Sequence, residues 1–177
     1  MIDKKLFRLV WIGTVVILIF VGIALGLRSG NVTVYDREYV WSVVSGAEGE
    51  PDRIVRGRMI QRIQHDINKL IFAFNKTFAE AEAASLQEGE SALELPKLLL
   101  KDRDRSTVRV LVVNGDYLTQ RMGSDGAQDY LVAATYTLTD CPEITSVNFD
   151  FTQGDHAEPG IYTRMSFTGY RITFIRK

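Results

Sequence analysis

Histidine, cysteine and proline are scarce in this 177-residue chain, which holds two, one and four of them. A lone Cys141 forms no intrachain disulfide, so the fold rests on its apolar core. His65 and His156 are far apart and lack a partner set with zinc-like spacing, which argues against a metal centre. No Gly-x-Ser-x-Gly, Ser-x-x-Lys or paired Cys/His arrangement occurs, so nucleophilic catalysis has no sequence support. Phosphate loops are absent as well. The composition assigns no catalytic residue, cofactor or metal, and the expectation is a protein that is not an enzyme.

Basic surplus is missing too. Four of the 21 basic residues but one of the 22 acidic ones fall within the first 28 positions, leaving 17 basic against 21 acidic from Ser29 onward. Duplex nucleic acid demands a basic surface, so no nucleic-acid role is expected. An apolar fraction of 46% with 24% charged residues is that of a folded chain and excludes overall disorder.

One stretch has no charge at all. Leu9–Leu27 is 19 apolar or small residues, spanning roughly 29 Å as a helix, close to the hydrocarbon thickness of a bilayer. This predicts a transmembrane helix over 9–28 after a cytoplasmic tail over 1–8. A cleaved signal peptide is the competing reading, but its apolar core is shorter, and Ala24-Leu25-Gly26 is a poor small-x-small site. No cysteine closely follows the run, which excludes a lipoprotein anchor. Lys4, Lys5 and Arg8 precede it and only Arg28 follows closely, so the positive-inside rule places the N-terminus in the cytoplasm and residues 31–177 outside the cytoplasmic (inner) membrane. Gly22 and Gly26 form a Gly-x-x-x-Gly motif, a candidate contact between two such helices.

Beyond the linker Ser29-Gly30, 32–35 and 39–44 have strand character, with Tyr39 and Trp41 on one face. Residues 45–51 are a loop. Ile60, Ile63, Ile67, Leu70, Ile71, Phe74 and Phe78 recur at spacings of three and four and predict a long amphipathic helix from Asp52, weakened at its start by Gly57. Arg53, Arg56, Arg58 and Arg62 then form a solvated face beside Glu48, Glu50 and Asp52, or a contact for an anionic partner. Ser91–Leu100 is a packing connector broken by Pro96, and Lys101–Arg105 a charged turn.

Val108–Val113 predicts a strand, Asn114-Gly115 a type I′ hairpin turn, and Asp116–Met122 the returning strand. A helix with Ala127, Tyr130, Leu131, Ala134 and Leu138 on its apolar face follows, capped by Asp125 with Gln128 three residues on. Cys141-Pro142 stops it. Ile144–Phe151 alternates Thr145, Val147, Phe149 and Phe151 on one face, and a terminal hairpin pairs 161–168 with 170–175. The class is α+β: a small antiparallel or mixed sheet with two helices on one face, in the order β-β-α-β-β-α-β before that hairpin.

Four runs, Val112-Val-Asn-Gly-Asp-Tyr-Leu-Thr119, Met122-Gly-Ser-Asp-Gly-Ala127, Tyr136-Thr-Leu-Thr139 and Ile144–Gly154, resemble the GerMN domain of bacterial sporulation and germination proteins. The resemblance is close over 108–154 and looser over 32–101. It implies one domain similar to ring-building folds, in which sheet-and-helix units pack side by side. The function so implied is a noncatalytic scaffold in a cell-envelope complex, with the membrane and either further copies or other envelope subunits as partners. Tyr117, Arg121, Tyr136 and Arg164 are the candidate exposed contacts, because aromatics and arginine favour interfaces, and His156 is a further candidate interface residue. Two other classes stay open: a module binding peptidoglycan or another envelope glycan, which needs an exposed aromatic patch, and an envelope hydrolase built on His156, which lies near Asp155 and Glu158.

Overall fold

A computed structural model describes residues 35–63, 66–83 and 94–173. The predicted transmembrane helix, with Gly22 and Gly26, lies outside them, as does His65. No helix among the described residues is long and apolar enough to cross a membrane.

The architecture is α+β, with two sheets where the sequence suggests one. Strands β1 (Tyr35–Val44) and β2 (Arg53–Ile63) form an antiparallel pair closed on the far side of β2 by β7 (Arg171–Thr173), which runs parallel to it. The second sheet has the order β3 (Lys97–Asp104), β4 (Thr107–Val113), β5 (Ser146–Asp150), β6 (Gly160–Tyr162). Its β4–β5 pair is parallel, so helix α2 (Gly123–Leu138) is the crossover that parallel strands require.

Several expectations are corrected. The strand predicted over 39–44 begins at Tyr35 and runs unbroken as β1, while residues 32–34 of the other predicted strand lie outside the described residues. The predicted helix from Asp52 divides into β2 and helix α1 (Ile67–Glu82). Ile67, Leu70, Ile71 and Phe74 are buried on one helical face, but Ile60 belongs to the sheet. Gly57 is required by close approach: a Cβ there would lie 2.9 Å from the carbonyl oxygen of Val40, beside the bulge between Tyr39 and Trp41. Residues 97–104 are a strand, and its charges do not prevent this because β3 is an edge strand, where charge blocks unwanted pairing.

Asn114-Gly115 does not make a hairpin. Asn114 takes φ 57°, but Gly115 is not among the glycines with positive φ, and a type I′ turn needs both. The chain winds instead into a π-helical turn, Tyr117–Arg121, that buries Leu118 and Thr119. Asp125 is not the N-cap but the third residue of α2, and Met122 holds the cap position with no side-chain cap bond. The terminal hairpin is also replaced: β6 and β7 join different sheets, separated by a 3₁₀ turn, Arg164–Ser166, with a Thr163/Ser166 capping box.

Both helices contribute to one large core against the inward face of the four-stranded sheet, formed by Leu98, Val108, Val110, Val112, Val147 and Phe149. From Tyr130 to Leu138 every residue of α2 is buried. Ala127, Tyr130, Leu131, Ala134 and Leu138 face that core, while Val132 and Tyr136 pack with Trp41 and Ile54 of the other sheet. A helix apolar on all sides is one packed on all sides.

The helices also cap sheet edges. Thr137 Oγ1 and Asp140 Oδ2 accept from the backbone amides of Trp41 and Tyr39 (2.9 and 2.8 Å). Asn75 bridges both backbone groups of Leu98 on β3 (2.8 and 2.9 Å). These bonds satisfy groups that an uncovered strand would offer to another chain.

Candidate functional site

Among the described residues, three places bring polar or aromatic side chains together. The first is an interleaved stack of aromatic rings and guanidinium groups across β1, β2, the 3₁₀ turn and α2. Arg56 lies over Tyr39 and Trp41 (4.4 and 5.1 Å to the ring centroids), and Arg164 over Tyr136 and Trp41 (4.9 and 5.6 Å). Arg164 also donates to Thr139 Oγ1 (2.8 Å), the Tyr136 carbonyl oxygen (3.1 Å) and Asp140 Oδ1 (3.4 Å). A planar, delocalised cation suits both a ring face and a fan of oxygens. Trp41 is 2% exposed and Tyr136 4%. Tyr136 is therefore not an exposed contact, and Arg56 packs on aromatic rings rather than forming part of a wholly solvated face. Tyr117 is likewise buried, with Arg121 over its ring at 4.7 Å and paired to Glu94 at 2.6 Å. The physical reason is common to both tyrosines: each fills space beside a core element, and its arginine serves as the polar lid.

The second place is the hollow around His156. His156 Nδ1 and Ser124 Oγ are 3.1 Å apart, and the His156 amide donates to the carbonyl oxygen of Thr119 (3.3 Å). Asp155 and Glu158 line the same hollow. Gly154 passes so close to the π-helical turn that a Cβ would lie 2.6 Å from Thr119 Cβ. Ser124 is exposed at the start of α2 and His156 half-buried. The arrangement fastens the 154–158 loop onto the π-helical turn and α2. Among the described residues, no group of three or more His, Cys, Asp or Glu is arranged to hold a metal ion.

The third place is a cleft of about 150 Å³ between β1, α1 and α2, walled by Val40, Phe74, Phe78, Met122, Tyr130 and Ala133. Phe74, Phe78 and Tyr130 form an aromatic cluster, with Tyr130 edge-on to both rings (5.4 and 4.8 Å). Tyr130 Oη is buried without a hydrogen-bond partner, and burial pushes its phenol well above the ordinary range. At the rim stands Asp129, whose Oδ1 accepts from Tyr170 Oη at 2.7 Å. Burial raises the Asp129 carboxyl, the Tyr170 hydrogen bond opposes this, and Asp52 and Asp125 add to the rise. The sequence places Tyr130 correctly on an apolar helix face. The missing partner of its hydroxyl depends on three elements distant in sequence and has no local signal.

A pH dependence follows from Asp129. Its folded carboxyl binds a proton more tightly than the unfolded one, so its ionisation at pH 7 opposes folding, and this penalty fades as pH falls through the raised value. Asp129→Asn keeps an acceptor for Tyr170. The variant is expected to melt above the parent at pH 7, with the difference shrinking toward about pH 4. Thermal melts across that range check this, and a difference independent of pH would exclude the ionised carboxylate as its source.

Comparison with known proteins finds no match to this chain among family models, curated proteins or solved structures.

Proposed function

We propose that this chain is a noncatalytic assembly module held at the cytoplasmic membrane by its N-terminal apolar run, with the folded domain outside the cytoplasm. The observation that carries this reading is the outer face of the four-stranded sheet. Leu99 and Ile161 are 53% and 65% exposed there. Leu99 pairs across the ladder with Leu111, Leu111 with Asp150, and Arg109 with Asn148, which in turn faces Ile161. Lys101 and Arg109 both reach Asp150 (2.6 and 3.2 Å), and the Lys101 hydrogen bond holds the Asp150 carboxyl below the ordinary carboxylate range. Apolar side chains around a fixed ion network are the composition of a contact surface, with charges setting register.

The resemblance of 108–154 to GerMN domains supports a ring-building mode and a sporulation- or germination-like envelope complex. Tethering supports weak contacts by raising effective concentration. Arg121, exposed while paired with Glu94 and covering Tyr117, and half-buried His156 lie at the periphery. A peptidoglycan module draws less support because Trp41 and Tyr136 are enclosed beneath arginines. A hydrolase draws less because, among the described residues, His156 Nδ1 meets Ser124 Oγ and not an orienting carboxylate.

The test is mass measurement by light scattering of the full-length protein in mild detergent beside residues 31–177. Oligomers in both are expected, with Leu99→Lys/Ile161→Lys reducing both to monomers. Oligomers only in the full-length protein, lost on Gly22→Ile/Gly26→Ile, would move the interface to the apolar run. Monomers in both at high concentration would sink self-assembly.

A further inference from the structure

Helix α1 carries a second side-chain pattern on the face it turns away from the core. Phe72 is 70% exposed, nearly opposite the buried Leu70 and Phe74. Lys69 and Lys76 are exposed about one turn to either side of it. Together with Arg58 of β2 these residues line a hollow of about 380 Å³ in which three cations face one carboxylate, Asp66. Lys76 meets Glu80 at 3.7 Å with both side chains largely exposed, a pair worth little in water. Among the described residues, no carboxylate comes within ion-pair reach of Arg58 or Lys69. The first turn of α1 holds no acidic residue, so Lys69 stands at the positive end of the helix dipole, an arrangement that an external anion relieves.

The hollow lies near the point where the chain leaves for the apolar run. Tyr35 pairs across the ladder with Ile63, and α1 begins at Ile67, four residues on. The start of α1 and the start of β1 are therefore at the same end of that ladder. The eight Cα steps from Leu27 to Tyr35 span at most roughly 28 Å even when fully extended. A bilayer that holds the run is thus never far from this end of the domain.

We propose that this face of α1 docks on the anionic phospholipid headgroups of the bilayer in which the apolar run is anchored, with Arg58, Lys69 and Lys76 at the phosphates and the Phe72 ring at the acyl boundary. An aromatic ring flanked by long cationic side chains is the composition of an interfacial helix, whose cations reach to phosphate while the ring enters the apolar layer. Docking rests on the membrane anchoring proposed above and makes no use of the outer sheet face.

The test uses the full-length protein in nanodiscs of phosphatidylcholine alone or with a minority of phosphatidylglycerol. A fluorophore on Asn68→Cys reports from the hollow, because the native Cys141 is buried, and brominated lipids quench it only where it meets the bilayer. Quenching is expected in the anionic discs, little in the neutral ones, and less in high salt. Lys69→Gln and Lys76→Gln are each expected to lower the ratio of docked to undocked protein by about fivefold, the worth of one basic residue at an anionic surface. Phe72→Ser is expected to lower it in similar measure. All three side chains are exposed, so the fold survives their replacement. Protein retained on anionic discs with an unquenched label would overturn docking and leave the anchor standing. Equal quenching in both lipids, or quenching indifferent to all three variants, would also overturn it. Protein that stays with neither kind of disc would remove the anchor itself, and docking with it.

Discussion

Trp41→Ala is expected to lower the free energy of unfolding by about 3–5 kcal/mol, the usual cost of emptying a buried aromatic site. The expected size rests on what Trp41 joins. Its ring meets Tyr136 of α2 edge-on at 5.6 Å, packs with Ile54 of β2, and lies beneath both Arg56 and Arg164. Its removal thus leaves a cavity between the three-stranded sheet and α2 and takes one aromatic face from each of two guanidinium groups. Their attraction to a ring is worth about 0.5–2 kcal/mol when partly desolvated. For a domain of this size, each kcal/mol shifts the melting temperature by about 3 °C, so a fall of roughly 10 °C is expected. Urea unfolding of residues 31–177 measures it, with Trp41→Phe as the control that keeps a ring and part of the volume. A loss under 1 kcal/mol for the alanine variant would show that the small second core does not hold the two sheets together.

Phe74→Ala is expected to cost a similar amount, about 3–5 kcal/mol, whereas Phe72→Ala, two residues earlier on the same helix, is expected to change stability by less than about 0.5 kcal/mol. Phe74 is 1% exposed and touches the rings of Phe78 and Tyr130; Phe72 is 70% exposed. A helical repeat of 3.6 puts residues two apart on nearly opposite faces, so the pair reads the rotational setting of α1 directly. Comparable losses for both would mean that Phe72 is covered in solution, and a Phe72 loss that depends on protein concentration would identify the cover as another copy.

Local pattern was a sound guide where one element carried its own period. The 3.6-residue spacing of Ala127, Tyr130, Leu131, Ala134 and Leu138 defines α2, and the alternation of Val147, Phe149 and Phe151 defines the inward face of β5 and its continuation. Val108, Val110 and Val112 do the same for β4. The buried half of α1 was equally legible, from Ile67 through Phe74.

The failures share one cause, which is that the deciding contact came from far along the chain. Ile60 falls at a helical interval from Ile67, yet 53–63 forms a strand because β1 offers it a full ladder and Gly57 admits the Val40 carbonyl. Leu98 and its charged neighbours form a strand because β4 pairs with them and Asn75 caps the edge. Asn114-Gly115 has the composition of a hairpin turn, but the chain turns instead into the buried π-helical segment, with Phe151 lying 3.0 Å from where a Gly115 Cβ would stand. Sequence alone therefore determined the α+β class, both helical faces, the central strands and the charge-free N-terminal run, since each depends on spacing between near neighbours. Tertiary structure alone decided the division into two sheets, the enclosure of Tyr117 and Tyr136 beneath arginines, and the cleft at Tyr130, because burial and hydrogen-bond satisfaction are properties of groups brought together from distant parts of the chain.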